Sequence, residues 1–327
     1  MASTLLLLIA GLALLLVGGE LLVRGAVGLA QRAGVTPLVI GLVIVGFGTS
    51  TPELVTSVEA ALIGAPAIAW GNIVGSNIVN TLLILGASAL LAPIVVRRGP
   101  AVRDTGVALA ASLVLAALAL AGAASAWVGG AMIAALAGYI AWCYREERVA
   151  EPDIVHNAPY DRSAALELAD PGLHPAGRRW FAPVLLALAG LGLLVFGGRM
   201  LVGGAIDLAR VAGLSETLIG VIIVAVGTSL PELVTSLVAA RKGEPEVAFG
   251  NVVGSNIYNI LGIGGVTMLL APGAVPETLW PVDLGLMVAT ALAVVVLALA
   301  HRPIGRAAGL ALVLGYGGFL AAAIAAQ

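Results

Sequence analysis

Long apolar runs, separated by shorter polar or glycine- and proline-containing connections, make up most of this 327-residue chain. A helix needs about 20 mainly apolar residues to cross a bilayer. On that length the pattern predicts ten membrane-spanning helices, at about 2–30, 36–63, 67–92, 104–122, 125–145, 181–209, 215–240, 246–271, 280–300 and 305–325. One longer polar stretch, residues 146–180, carries charges and prolines and is typical of a solvated linker.

A polar motif inside one of these apolar runs is repeated in the chain. Gly48–Ser57 reads GTSTPELVTS, and Gly227–Ser236 reads GTSLPELVTS, 179 residues later. A second motif follows at the same offset, GNIVGSNIVN at Gly71–Asn80 and GNVVGSNIYN at Gly250–Asn259. Two motif pairs at one offset indicate a duplicated chain.

The duplication predicts an all-α membrane protein of two homologous halves. Residues 1–145 form the first five-helix repeat, residues 146–180 the cytoplasmic linker, and residues 181–327 the second repeat. Because five is odd, the second half is inverted in the membrane. This inverted five-plus-five repeat, in which helices 2 and 7 are broken, is typical of secondary transporters.

The basic residues predict the orientation. With the N-terminus outside, only Arg199 and Arg210 of the 16 lysines and arginines fall on the outer side. Basic residues prefer the cytoplasmic side of a membrane. We therefore expect a multi-pass protein of the cell inner (cytoplasmic) membrane, with both termini extracytoplasmic. The residues on the inner side are Arg24, Arg32, Arg97, Arg98, Arg103, Arg145, Arg148, Arg162, Arg178, Arg179, Arg241, Lys242, Arg302 and Arg306.

Composition agrees with a membrane protein and excludes several classes. The chain is 60% hydrophobic and 10% charged, against about 25% charged residues in a soluble domain. A net charge of −2 gives no reason to expect a nucleic-acid partner, and the bilayer is the partner that the apolar runs require. The spans lack a HExxH motif and a catalytic histidine, so an intramembrane enzyme is not expected. Nothing in the pattern calls for an oligomer, and a monomer fits it.

The first motif predicts a broken helix with an acid beside the break. Pro52 has no N–H, so we expect the helix to break near Gly48 and to free carbonyls around Gly46. Glu53 follows the proline, and Thr49 and Ser50 precede it. The second copy supplies the matching residues Thr228, Ser229, Pro231 and Glu232.

An acid in the middle of a span is costly and usually functional. Two acids placed by one motif in both halves therefore indicate a cation site. Carboxylate, carbonyl and hydroxyl oxygens suit Na⁺ and Ca²⁺ better than Zn²⁺. In the second motif, a spacing of four residues puts a serine and an asparagine on one helix face, which we expect to point to the glutamates. These pairs are Ser76 with Asn80 and Ser255 with Asn259.

The two motifs, GTSxPELVTS and GNxVGSNIxN, resemble the alpha-repeats of the cation/Ca²⁺ exchanger superfamily, specifically its prokaryotic Na⁺/Ca²⁺ exchanger-like branch. The resemblance implies ten helices and alternating access by sliding of the first and sixth helices. By motif match, Glu53 and Glu232 are the central acidic ligands. The implied oxygen donors are Thr49, Ser50, Thr228, Ser229, Ser76 and Ser255, with the backbone carbonyls of Gly46 and Ala225.

The motifs end in a neutral residue in both halves. Several family members have an aspartate where this chain has Asn259, and Asn80 is also neutral. The predicted site therefore holds two carboxylates, which argues against potassium cotransport. We expect a Na⁺/Ca²⁺ antiporter that transports Ca²⁺ and Na⁺ and needs no cofactor. H⁺-coupled or other cation/Ca²⁺ exchange is the alternative, and the inverted repeat favours a carrier over a channel or scaffold.

Overall fold

The computed structural model describes residues 2–146, 180–211, 225–272, 275–276, 279, 281–300 and 302–325. Its first half contains α1 (Ala2–Ala33), α2 (Pro37–Thr49), α3 (Thr51–Leu62), α4 (Pro66–Leu91), α5 (Arg98–Ala121) and α6 (Ala126–Glu146). Its second half contains α7 (Phe181–Val211), α8 (Ala225–Thr228), α9 (Leu230–Lys242), α10 (Pro245–Leu270), α11 (Val282–Leu299) and α12 (Arg306–Ala325). Within these ranges there is no β-strand, only a single bridge between Ile94 and Ile304.

The helices account for nine of the ten predicted spans within the described ranges. Eight helices are long and apolar enough to cross a membrane, and α2 with α3 forms a ninth span bent by 45°. The predicted seventh span, residues 215–240, begins outside the described residues. Its described part is α8 and α9, which are separated at Ser229.

Helices α1 and α7 pack against each other in an antiparallel pair along most of their length. A Cβ atom added to Gly11 would lie 2.8 Å from the Gly197 carbonyl oxygen, and one added to Gly18 would lie 2.8 Å from the Gly190 carbonyl oxygen. A Cβ atom at Gly25 would lie 2.5 Å from the Ala187 backbone nitrogen. Only glycine permits this backbone approach, because any side chain would have to displace the partner helix.

The first broken span is interrupted just before its proline, as predicted, but the break lies later in the chain. The break falls at Ser50, two residues beyond the expected position near Gly48. The helix continues through Thr49 because the Ser50 N–H still donates to the Gly46 carbonyl oxygen, over 3.1 Å. Pro52 lies in the first turn of α3, where N–H groups have no helical partner and proline is tolerated.

Within the described ranges, three spans contain π-helical turns that sequence periodicity did not predict. They cover Gly41–Val45 in α2, Val79–Ile84 in α4 and Tyr258–Gly264 in α10. The last two hold Asn80 and Asn259, the residues that end the second motif. Such turns within α-helices are often found at functional sites.

The fourth span begins earlier than predicted, at Arg98 instead of residue 104. Arg103 is tolerated inside the helix because its Nε donates to Asp104 over 2.7 Å and its Nη1 to Glu146 over 3.1 Å. Tyr139 donates a further hydrogen bond to Asp104. Cys143 is fully buried in the same cluster. Most of the predicted linker, residues 147–179, lies outside the described residues, so the domain boundaries stay a prediction.

Candidate cation site at the two broken helices

Glu53 and Glu232 occupy equivalent positions, in the first turn of the helix that follows each break. The N–H groups of a first turn have no earlier carbonyl partner, and the positive end of the helix dipole stabilises an acidic side chain there. Both glutamates are only 1% exposed. The two acids therefore lie inside the helix bundle and not at its surface.

Each glutamate accepts a hydrogen bond from a serine of the opposite half. Ser50 Oγ donates to Glu232 Oε1 over 2.9 Å, and Ser229 Oγ donates to Glu53 Oε1 over 2.9 Å. These two serines are the residues at which the broken spans are interrupted, and both are buried. The reciprocal bonds bring both carboxylates and both breaks together in the buried interior.

Several buried oxygens have no hydrogen-bond partner among the described residues. They include Glu53 Oε2, Glu232 Oε2 and Ser76 Oγ, together with the side-chain amides of Asn80 and Asn259. Leaving a buried polar group unpaired costs roughly 1–3 kcal/mol, and more for a charged group. A cation would satisfy these oxygens, so the donor set fits an ion such as Ca²⁺ or Na⁺.

The two asparagine-bearing π turns pack against the helices that carry the glutamates. The turn with Asn80 contacts α9, which carries Glu232, and the turn with Asn259 contacts α3, which carries Glu53. The arrangement is therefore reciprocal, like the serine–glutamate bonds. Among the described residues, neither asparagine forms a hydrogen bond to a glutamate.

Of the remaining predicted ligands, Thr49, Thr228 and Ala225 lie in the short segments before the breaks, and Ser255 lies within α10. Thr49 is fully buried, and its Oγ1 donates to the Val45 carbonyl oxygen over 3.0 Å. Thr228 ends α8 and is partly buried, while Ala225 is the first residue of α8. Ser255 is fully buried and its Oγ donates to the Gly46 carbonyl oxygen over 3.3 Å.

The Gly46 carbonyl was expected to lose its helical partner, and this expectation is wrong. Its oxygen accepts the Ser50 N–H as well as the Ser255 hydroxyl. The neighbouring Phe47 carbonyl oxygen accepts the Thr51 hydroxyl over 3.3 Å. Local hydroxyls therefore satisfy part of the backbone that the proline was predicted to expose, as is common where a membrane helix is interrupted.

Two asparagines outside the predicted ligand set form hydrogen bonds to the helices that carry the glutamates. Asn251 Nδ2 donates to the Glu232 carbonyl oxygen over 3.1 Å and to Ser236 Oγ over 2.9 Å. Its Oδ1 lies 3.1 Å from Thr49 Oγ1, whose single proton is shared between Asn251 and the Val45 carbonyl oxygen. In the first half, Asn72 Nδ2 donates to the Glu53 carbonyl oxygen over 3.3 Å and to Ser57 Oγ over 2.9 Å.

These asparagines are the second residue of the GNxVGSNIxN motif in each half. Their repetition in both halves marks these two asparagines in the sequence, but the spacing of residues does not indicate the direction of a side-chain amide. The geometry makes them bridges between the helix after each break and the next helix, α4 or α10. They thus hydrogen-bond to the backbone carbonyl of each glutamate and not to its unpaired carboxylate oxygen.

The chemistry of the site is that of hard oxygen donors. In the part of the chain that the structure describes, no group of three or more His, Cys, Asp and Glu side chains is placed to hold a metal. Two carboxylates supplemented by neutral hydroxyl and amide oxygens suit a transported ion better than a tightly held transition metal. The fold is that of a multi-pass membrane protein, and the donor set at its two breaks fits a transported cation.

The family follows from comparison with known proteins. The sequence model of the sodium/calcium exchanger protein family matches residues 3–145 and 182–325, so the chain belongs to that family. The chain is 37% identical over 316 residues to CaxA of Alkalimonas amylolytica, covering 94% of this chain and 95% of that protein. It is 31% identical over 338 residues to the sodium/calcium exchanger MaX1 of Methanosarcina acetivorans, covering 96% and 97%.

A solved structure agrees with the fold. The sodium-calcium exchanger NCX_Mj, soaked with zero Na⁺ and Ca²⁺, superposes with a TM-score of 0.82 at 28% identity. The match covers 98% of this chain and 99% of that one. The resemblance noted from the motifs and the predicted all-helical membrane fold with an inverted repeat are both confirmed. The chain is a member of a family of cation/Ca²⁺ exchangers, which are transporters and not enzymes.

Proposed function

We propose that this chain is a secondary active antiporter that exchanges Ca²⁺ for Na⁺ across the cytoplasmic membrane by alternating access. Glu53 and Glu232 are its central cation ligands. One observation carries the proposal. Each of these buried carboxylates is held at one oxygen by a serine of the opposite half, and its other oxygen has no described partner. Each acid is thus oriented but left with an oxygen for an ion.

The remaining ligands come from both halves in equal number. We propose side-chain oxygens at the breaks and in the second motif, with two backbone carbonyls. Because Ca²⁺ takes six to eight oxygen ligands, no single helix supplies a full set. The proposed ligands besides the glutamates are Thr49, Ser50, Thr228, Ser229, Ser76, Ser255, Asn80, Asn259 and the carbonyl oxygens of Gly46 and Ala225.

Charge balance supports exchange at this site. Two carboxylates neutralise one Ca²⁺, or they hold monovalent ions in neighbouring positions when Ca²⁺ has left. Ca²⁺ and Na⁺ then compete for the same oxygens, which couples the flux of one to the other. The names of MaX1 and NCX_Mj, both sodium/calcium exchangers, support Na⁺ as the coupling ion.

The α1–α7 pair is the part of the fold that we propose to slide. Its glycine contacts join the two backbones so closely that the pair moves as one body against the helices that carry the site. We propose that residues 1–145 and 181–327 are the two repeats and that residues 146–180 connect them in the cytoplasm, with both termini outside. The two separate family matches and the distribution of basic residues support this organisation.

Transport by the purified protein in liposomes tests the proposal. Glu53→Gln and Glu232→Gln keep the size of the side chain and remove its charge, so each should abolish Ca²⁺ uptake driven by a Na⁺ gradient. Glu59→Gln is the matched control, since Glu59 is an exposed glutamate of the same helix and should be dispensable. Uptake near the wild-type rate by either site variant would contradict the ligand assignment.

The same assay separates the coupling ions. Ca²⁺ uptake is measured with an outward Na⁺ gradient at equal pH, and then with a pH gradient in Na⁺-free buffer. The proposal expects uptake in the first condition only. Uptake driven only by the pH gradient would instead establish H⁺-coupled exchange on the same scaffold.

A further inference from the structure

A cavity of about 230 Å³ opens between the two halves, at one end of the bundle. Its floor is apolar and includes Ile94, Phe249, Leu297 and Ile304. Ile94 and Ile304 pair as an antiparallel bridge, each N–H donating to the other carbonyl oxygen over 3.0 Å. The cavity is therefore formed where the connection before α5 meets the connection before α12.

Two arginines line this cavity beside its apolar floor. Arg98 comes from the start of α5 and Arg302 from the connection between α11 and α12, and both are exposed. Neither forms an ion pair with a described residue. Two basic neighbours do have partners: Arg97 pairs with Glu246 over 3.7 Å, and Arg306 donates to the Leu90 carbonyl oxygen.

The cavity lies at the level where spans end. Helix α5 begins at Arg98, and α11 ends at Leu299, so the arginines lie at the boundary between the apolar core and the polar headgroups. The guanidinium fork matches the oxygens of a phosphate. Basic pockets between membrane helices are known to hold anionic lipid headgroups.

We propose that this cavity binds an anionic phospholipid. The phosphate is held between Arg98 and Arg302, and the first part of an acyl chain lies on the floor near Phe249 and Leu297. The volume is below the roughly 300–1,000 Å³ of sites for whole drug-sized ligands, so only part of the lipid is enclosed. Since the bound lipid contacts both halves, it stabilises their junction. The proposal does not depend on which ions the protein exchanges.

Native mass spectrometry of the delipidated full-length protein tests the site. Phosphatidylglycerol and phosphatidylcholine are added at equal concentration, and the dissociation constants are compared. An arginine that contacts an anionic headgroup contributes about 1 kcal/mol to its binding, so the double variant Arg98→Gln/Arg302→Gln, which removes both contacts, should bind phosphatidylglycerol about 30-fold more weakly. Arg145→Gln/Arg241→Gln, which changes two exposed arginines outside the cavity, is the matched control and should bind like wild type.

A second variant keeps the test valid if the arginine variant does not fold. Ala298→Phe fills the cavity without changing charge and should also weaken phosphatidylglycerol binding. Unchanged binding in a folded arginine variant, or an equal loss in the control pair, would overturn the proposal. So would equal affinity for phosphatidylcholine, or displacement of the lipid by millimolar inorganic phosphate, which would make the site a free-phosphate site.

Discussion

Replacing Asn251 with alanine should destabilise the protein because it removes hydrogen bonds at the candidate cation site, and not because it removes apolar packing. Asn251 is fully buried and makes three hydrogen bonds that join α10 to α9 and α2, with the Glu232 carbonyl, Ser236 and Thr49. Asn251→Ala removes all three and leaves the partner atoms buried. It removes little apolar contact.

The expected loss in the free energy of unfolding follows from the number of hydrogen bonds that the substitution removes. Side-chain hydrogen bonds between membrane helices contribute about 0.6 kcal/mol each on average, so three bonds amount to about 2 kcal/mol. This is smaller than three bonds in a soluble core would suggest, because helices that separate within a membrane find other partners. The apparent affinity for Ca²⁺ should fall as well, since Asn251 holds the backbone of Glu232.

The free energy of unfolding is measured by SDS titration in mixed micelles, and the KM for Ca²⁺ uptake in liposomes. Ser112→Ala is the matched control. Ser112 is equally buried, but its Oγ donates to the Ala108 carbonyl oxygen of its own helix over 2.8 Å, so no helix pair depends on it. If Asn251→Ala costs no more free energy than Ser112→Ala and leaves the KM unchanged, the bridging role assigned to Asn251 is wrong.

Three further predictions address the moving pair, the site charge and the orientation. Gly18→Ala should strongly reduce Ca²⁺ uptake, because the added Cβ atom would lie 2.8 Å from backbone atoms of α7. Gly192→Ala is the control and should transport normally, because its Cβ atom would have no neighbour within 4 Å. Equal uptake rates for the two variants would refute the close packing of α1 against α7. Asn259→Asp adds a third carboxyl group, which binds a proton or a further cation. Ca²⁺ uptake by this variant, measured from pH 6 to 9, should therefore become more pH-dependent or sensitive to K⁺. If the variant and the wild type have identical pH and ion profiles, Asn259 is not a ligand. A cysteine introduced at Asp161, after Cys143 is replaced, should resist an impermeant thiol reagent in intact cells, and labelling would reverse the proposed topology.

The sequence alone determined the architecture and the central pair of acids. Apolar runs report membrane spans directly, because a bilayer imposes one length on every helix that crosses it. The repeat of Gly48–Ser57 at Gly227–Ser236 indicated two halves, and an odd number of spans in each half required the inversion. A proline next to a glutamate in mid-span then marked both breaks, since neither residue is tolerated there without a partner.

Only the tertiary structure decided which partners those residues have. The bonds from Ser50 to Glu232 and from Ser229 to Glu53 join residues about 180 positions apart, and they depend on how the faces of two inverted halves meet. The bridges made by Asn251, and the π turn that contains Asn259, likewise have no local signal in the sequence. Periodicity shows which residues are buried, but the direction of a buried polar side chain is set by the neighbour that satisfies it, and that neighbour lies in another part of the chain.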